Sequence, residues 1–155
     1  MKKTYLYVII LIVVVLGLFY LSWWLDPTNK IKAVWAQNGV ECNLMEGEKE
    51  HFHPHLDITV DGEAEIVPAN IGITGHCFAE IHTHDDSGII HIESPYADKV
   101  FHLEQFFTVW GKSIERDGYT LTATVDGKPL PDPGKLMLAD KQQIVFAYIS
   151  VPKAQ

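Results

Sequence analysis

The feature that most constrains this chain is a run of 21 uncharged residues, Tyr5–Leu25, rich in Ile, Val and Leu. A helix rises about 1.5 Å per residue, so this run covers the roughly 30 Å hydrocarbon core of a bilayer. The sequence therefore predicts one transmembrane helix near the N-terminus, with residues 1–25 forming a cytoplasmic tip and a membrane anchor.

Charged and aromatic flanks give this helix an expected orientation. Lys2 and Lys3 precede the run, and Trp23 and Trp24 stand at its far end, where indoles favour the headgroup layer. Because lysines flank the run on its N-terminal side and not directly after it, the positive-inside rule places the N-terminus in the cytoplasm. We expect a single-pass protein of the cell membrane whose C-terminal part is extracytoplasmic.

A cleaved signal peptide is the competing interpretation of the same run. Signal peptides have apolar regions of about 7–15 residues that end at small residues. Here the run is longer and bulky tryptophans close it. A retained anchor is therefore favoured.

The outer part is strongly acidic. It carries all 20 acidic residues but only ten of the 12 basic ones, which gives residues 26–155 a formal charge of −10. Such a surface repels nucleic acid and attracts cations. Nucleic acid is excluded as a partner.

The sequence patterns predict one β-rich domain. Residues 26–50 resemble a stalk or an irregular segment, and period-2 alternation dominates residues 51–155. Leu103, Phe106, Phe107 and Trp110 have the spacing of a helix that buries one stripe. We expect an α+β fold, mostly antiparallel sheet with one short helix, in a β-grasp-like or a sandwich-like arrangement.

Cys42 and Cys77 are the two cysteines. An even number in an oxidising compartment indicates a disulfide, which would close about 35 residues and stabilise the fold by roughly 4 kcal/mol. Two metal-binding thiolates are the alternative. The spacing alone does not decide between them.

The histidines are arranged in alternating patterns that favour a metal site. His51, His53 and His55 alternate with apolar residues, His82 and His84 form a second HxH pair, and His91 alternates with Glu93. Side chains two positions apart share one face of a strand. Imidazole is the commonest protein ligand for transition metals, and carboxylates complete such sites.

A hairpin through 85–88 lets these residues be placed against one another. It pairs His84 with Ile89, His82 with His91, and Glu80 with Glu93. Paired side chains have Cβ atoms about 5 Å apart, and facing carboxylates need a neutralising partner such as a divalent cation.

We therefore predict that one transition-metal ion binds to imidazoles from several strands. The predicted ligands are His53, His55, His82, His84 and His91, with His51 and Glu93 as further candidates. Copper is the first expectation and zinc the second, because three or more imidazoles suit either ion and copper binds more tightly. Two imidazoles with one carboxylate would instead suit iron or manganese.

Three other residues are less informative. His76 and His102 each stand alone in their local pattern and are expected to be ordinary polar residues. Asp57 shares the predicted histidine face and is either a ligand or a partner that orients an imidazole.

Four stretches, HFHPHLDITVDG, VPANIGI, CFAEIHTHDDSGIIHIESP and FHLEQFFTVWG, carry a resemblance. They resemble a group of small membrane-anchored extracytoplasmic proteins of bacteria and archaea that have HxHxH, HTHD-x-SGIIHIES and FxLxQFFxxWG motifs. The resemblance covers about residues 42–111. It implies that the histidine segments belong to one domain type, and it implies no particular reaction.

The sequence is compatible with three functions. The leading hypothesis is a metal-handling protein, or an accessory subunit of a membrane metalloenzyme or redox complex. A metal-dependent enzyme, such as a hydrolase or a cupin-like oxygenase, is the second. A structural subunit that contacts other membrane subunits without metal is the third. GxSxG, HExxH, P-loop and CxxCH motifs are lacking, which disfavours several enzyme classes, and catalysis is the less favoured hypothesis.

Overall fold

The computed structural model describes residues 2–75 and 77–152. The chain divides into two compact units, Met1–Ala33 and Val34–Gln155.

Two helices begin the chain. Helix α1 is Lys2–Leu25, and its segment Lys3–Leu25 is long and apolar enough to cross a membrane. Helix α2 is Pro27–Gln37. Asp26 caps it, because the Asp26 carboxylate accepts the Thr28 N–H at 2.9 Å, and proline suits the first helical position.

The segment predicted as a stalk is partly regular. Helix α2 occupies its first half, and Trp35 and Val40 are buried. The prediction of an irregular segment over residues 26–50 was therefore wrong for residues 27–37, which are helical.

The strands and the third α-helix follow in chain order, with one 3-10 turn at Pro133–Lys135 before the last strand. They are β1 (Cys42–Asn43), β2 (Glu50–Phe52), β3 (His55–Val60), β4 (Glu63–Glu65), β5 (Ile73–Thr74), β6 (Cys77–Ala79), β7 (Ile81–His82), β8 (His91–Ser94), α3 (Leu103–Trp110), β9 (Tyr119–Val125), β10 (Lys128–Pro129) and β11 (Gln143–Ser150).

The largest sheet has five strands in the order β10-β9-β11-β3-β4. Its central pair, β11 and β3, is parallel, and every other neighbouring pair is antiparallel. The first and last strands of the sheet thus lie side by side at its centre, with α3 between its second and third strands in chain order. This is the β-grasp order. The prediction of an α+β fold with mostly antiparallel sheet and one short helix is confirmed.

Helix α3 carries the predicted apolar stripe. Leu103, Phe106 and Phe107 are buried, and the Phe107 ring stacks on Phe146 of the large sheet at 5.7 Å between centroids. Gly111 ends the helix in the left-handed region at φ 73°, where glycine carries no steric cost.

Two smaller sheets bring the histidine segments together. One has the order β1-β6-β5 and the other β2-β8-β7. Cys42 and Cys77 form a disulfide between β1 and β6, with Cα atoms 5.3 Å apart, so the predicted pairing is confirmed. The second small sheet carries His51, His82 and His91.

Candidate metal centre

The HxHxH segment is not one continuous strand. His51 lies in β2 of the small sheet, whereas His55 begins β3 of the large sheet. Pro54 stands between them and has no N–H to donate to a strand ladder. The prediction that His51, His53 and His55 share one strand face was therefore wrong, and the chain passes from one sheet to the other at this point.

The predicted register of the hairpin holds at its centre. His82 pairs with His91 on antiparallel β7 and β8, and His51 pairs with Glu93 on β2 and β8. Three neighbouring strands thus place His51, His82, His91 and Glu93 on one side of this sheet.

The hairpin register fails toward its loop. Strand β7 ends at His82, because the Thr83 hydroxyl donates to the Pro68 carbonyl at 2.7 Å and accepts the Ile71 N–H at 3.0 Å. His84 consequently lies in a bend, and Ile89 pairs with His55 instead of His84.

His82, His84, His91 and Glu93 form the first group of potential ligands. One ligand atom from each lies within 4.8 Å of all the others. The Nε2 atoms of His82 and His84 are 3.1 Å apart, and Nδ1 of His91 is 3.4 Å from Glu93 Oε1. Ligands about 2.0–2.1 Å from a tetrahedral ion lie roughly 3.4 Å from each other. These two distances therefore match the spacing in a four-coordinate site, and the group supplies the four ligand atoms that such a site needs.

The His82 ring is held in one orientation. Its side chain is fully buried, and its Nδ1–H donates to the Ala79 carbonyl at 2.8 Å. This bond leaves the Nε2 lone pair directed at His84 and Glu93. Metal-binding histidines characteristically donate their second ring N–H in this way, which fixes the tautomer.

Burial keeps two of these rings neutral. Desolvation, together with repulsion from the neighbouring His84 and His91, lowers the pKa of His82 to about 4, although its hydrogen bond to Ala79 acts in the opposite direction. Desolvation followed by repulsion from His84 and His53 lowers the pKa of His91 to about 4. Both rings are therefore uncharged at neutral pH, and the neutral imidazole is the form that binds metal.

Glu93 lies at the centre of the site with only 6% of its side chain exposed. Burial raises its pKa above the ordinary range, and the charge of Glu46 raises it further. Glu46 itself lies 3.3 Å from Nε2 of His84. Sequence patterns did not identify Glu46, because it lies in an irregular loop just before the first histidine pattern and contacts a histidine 38 positions later in the chain.

His51, His53 and Glu93 form the second group, again with one ligand atom each within 4.8 Å. The His51 and His53 rings lie edge to face at 4.8 Å, and His53 contacts His91 in the same manner at 4.7 Å. Glu93 belongs to both groups. The structure therefore brings six of the seven predicted ligands into one cluster.

His55 is the predicted ligand that the structure places outside both groups. Its Nε2 lies 2.8 Å from the Ser87 carbonyl oxygen, and its Nδ1 lies 3.3 Å from Asp57. Asp57 thus approaches an imidazole, but not one of the clustered rings. His55 and Asp57 lie outside the cluster because the chain enters β3 of the large sheet at His55.

Glu80 does not face Glu93. A bend at Glu80 turns its fully buried side chain toward Lys99, Ser94 and the Glu41 N–H. Lys99 neutralises its charge. The prediction that the carboxylates of Glu80 and Glu93 face each other was therefore wrong. Glu80 forms a buried ion pair with Lys99 and belongs to neither group of potential ligands.

Of the two isolated histidines, His102 is the one that the structure describes, and it belongs to neither group of potential ligands. His102 is the N-cap residue of α3, and Gln105 Oε1 accepts its N–H at 2.7 Å. His76 lies outside the described residues.

No family model matches this chain, and no curated protein or solved structure is detectably similar to it. The function must therefore be inferred from the chemistry of the cluster itself.

Proposed function

We propose that this protein is a membrane-anchored, extracytoplasmic transition-metal-binding protein. The observation that carries the proposal is the convergence of His82, His84, His91 and Glu93 within 4.8 Å of one another. Three nitrogens and one oxygen form a ligand set typical of zinc and copper sites.

The burial of these groups favours a metal over a solvated histidine face. His82 is fully buried and Glu93 is 6% exposed. Within residues 2–75 and 77–152, the buried Nδ1 of His91 has no hydrogen-bond partner. Unpaired buried polar atoms are costly, and a bound cation would compensate both the imidazole lone pair and the carboxylate charge.

Copper is the proposed ion, with zinc as the second choice. At a nitrogen- and oxygen-rich site, Cu(II) binds more tightly than Zn(II). The Cys42–Cys77 disulfide is characteristic of an oxidising compartment, where copper persists as Cu(II). The disulfide also removes both thiols as ligands.

An extracytoplasmic location is supported by two further features. Lys3 stands at the N-terminal end of the apolar span of α1, and the disulfide lies in the part of the chain that follows this span. Protease added to intact cells should digest the C-terminal unit. Protection of that unit until the membrane is permeabilised would contradict the proposed orientation.

A role in metal handling, or as an accessory subunit of a membrane metalloenzyme or redox complex, fits a site with four ligands. Four protein ligands occupy every coordination position of a tetrahedral ion, whereas catalytic zinc sites keep one position open. Storage or transfer of the ion is therefore favoured over hydrolysis at this group.

A metal-dependent enzyme is the second candidate, because a surface cavity adjoins Glu93. Met45, Glu46, Glu48 and His51 also line it. Multiple turnovers of an ester or phosphoester by zinc-loaded protein, abolished in His84→Gln, would favour this candidate. Zinc binding without turnover would favour the binding role.

The test of the proposed function is the metal content of full-length protein purified in detergent. Cells are grown with added copper and zinc, and metals are measured by mass spectrometry after desalting. Wild-type protein should retain at least one ion per chain, and His91→Ala should lose it. The matched control His102→Ala removes a histidine outside the cluster and should retain the ion. Metal-free wild-type protein that also shows no thermal shift with Cu(II) or Zn(II) would contradict the proposal and favour a structural subunit.

A further inference from the structure

We propose that the cluster is a binuclear centre, in which a second divalent ion binds to His51, His53 and Glu93 and the Glu93 carboxylate bridges the two ions. This inference rests on the proposed function, since the first ion occupies the His82, His84, His91 and Glu93 group. It goes beyond a single-ion site in assigning a second set of ligands.

The strand register places Glu93 between the two groups. On one side, His51 of β2 pairs directly with Glu93 of β8. On the other side, β7 pairs His82 with His91, which is two residues before Glu93 on the same strand face. Backbone pairing, rather than loop conformation, therefore sets the positions of His51, His82 and His91 around one carboxylate.

The two carboxylate oxygens of Glu93 face different histidines. Oε1 lies between the two groups, 3.5 Å from Nε2 of His51 and 3.4 Å from Nδ1 of His91, and Oε2 lies 4.0 Å from Nε2 of His82. A carboxylate has two oxygens and can give one to each of two cations. Ions in two-metal sites are about 3.5–4 Å apart.

The two groups also adjoin each other through their rings. His53 contacts both His51 and His91, with centroids 4.8 Å and 4.7 Å away. One group therefore continues into the other without an intervening apolar layer, as a shared centre requires.

The surroundings supply charge for a second dication. Glu46 and Glu48 line the cavity beside His51 and Glu93, and residues 26–155 carry a formal charge of −10. His51 is 53% exposed, so an ion can reach this group from solvent. Two imidazoles and one carboxylate suit iron and manganese, but they are also the protein ligands of many zinc sites that keep one coordination position open, here toward the cavity.

The first test is binding stoichiometry in the full-length protein. Metal is removed with a chelator, zinc sulfate is added in excess, and zinc per chain is measured after desalting. Wild-type protein should bind two ions, the double variant His51→Ala/His53→Ala should bind one, and the control His102→Ala should bind two.

The outcomes separate this inference from the proposed function. One zinc per chain in both wild-type and double-variant protein would overturn the second site and leave the first intact. Two zinc ions in the double variant would place the second ion elsewhere and would also overturn the inference. No bound zinc in any protein would overturn both proposals.

The second test asks whether the ions share a ligand. With two equivalents of Cu(II), paramagnetic resonance of wild-type protein should show spin coupling, with a signal smaller than two isolated copper ions give. The double variant with one equivalent should give the full signal of one isolated ion. Two uncoupled copper signals in the wild type would overturn the bridging role of Glu93.

Discussion

His82 and His91 lie directly opposite each other on antiparallel strands, with their rings stacked 5.6 Å apart between centroids. The small sheet therefore fixes the distance between two ligands before any ion binds. A site built on strand pairing is more rigid than one built on loops, and this lowers the ordering cost of metal binding.

The metal-free protein should lose stability in mild acid because of these two rings. Their pKa falls from about 6.5 to about 4 on folding. Between these pH values the unfolded chain binds more protons, so the free energy of unfolding should decrease as pH drops from 6.5 to 4. Glu93 acts in the opposite direction above pH 4.5, because its pKa is raised.

This pH dependence can be measured as the urea midpoint of full-length protein in detergent and chelator. The variant His91→Gln should show a weaker decrease between pH 6.5 and pH 4 than wild-type protein does. Equal decreases in the two proteins would contradict the burial-driven pKa shift.

The structure distinguishes His55 from His84, although the sequence patterns treat both as ligands. His84 lies 3.1 Å from His82, whereas His55 contacts Ser87 and Asp57 outside both groups. We expect His84→Gln to weaken Cu(II) affinity at least tenfold and His55→Gln to change it less than threefold. Competition with a chromophoric chelator gives both affinities. An equal loss in the two variants would contradict the assignment.

Lys99 should stabilise the fold without contributing to the metal site. Its ammonium neutralises Glu80, which is fully buried behind the cluster. Removing one partner of a buried ion pair typically costs about 3–5 kcal/mol. Lys99→Met should therefore lower the unfolding free energy by about 3 kcal/mol, with zinc stoichiometry unchanged. Loss of zinc from folded Lys99→Met protein would assign this pair to the site.

The disulfide should contribute to stability and not to metal binding. It closes a loop of 35 residues, and the loop-entropy relation gives a stabilisation of about 4 kcal/mol. Cys42→Ala/Cys77→Ala should lower the urea midpoint accordingly and should still bind Cu(II) below its own unfolding transition. A double variant that folds but binds no copper would show that the thiols take part.

Much of this fold could be predicted from local sequence patterns. The apolar run identifies α1. The spacing of Leu103, Phe106 and Phe107 identifies α3, because a helix that buries one face has apolar residues at every third or fourth position. The pairing of His82 with His91 could also be predicted from the sequence, because the length of a short hairpin loop determines which residues pair.

The remainder of the site depended on contacts between distant segments. At Pro54 the chain passes from the small sheet to the large one. His55 therefore contacts Ser87 and Asp57 and belongs to neither ligand group, and alternation alone does not predict this change. Glu46 reaches His84 from a loop 38 positions earlier. Glu80 lies in a bend and pairs with Lys99, a contact between distant residues that no local pattern predicts. Tertiary contacts override local periodicity in each case.

The most direct test of the metal assignment is a nitrogen-resolved measurement of the histidine rings. Full-length protein labelled with ¹⁵N is kept metal-free in detergent, and its imidazole nitrogens are recorded by NMR before and after one equivalent of Zn(II). We predict coordination shifts at Nε2 of His82, Nε2 of His84 and Nδ1 of His91, with the rings of His55 and His102 unchanged. Shifts confined to His55 or His102, or no shift at the first three nitrogens, would contradict the proposed centre.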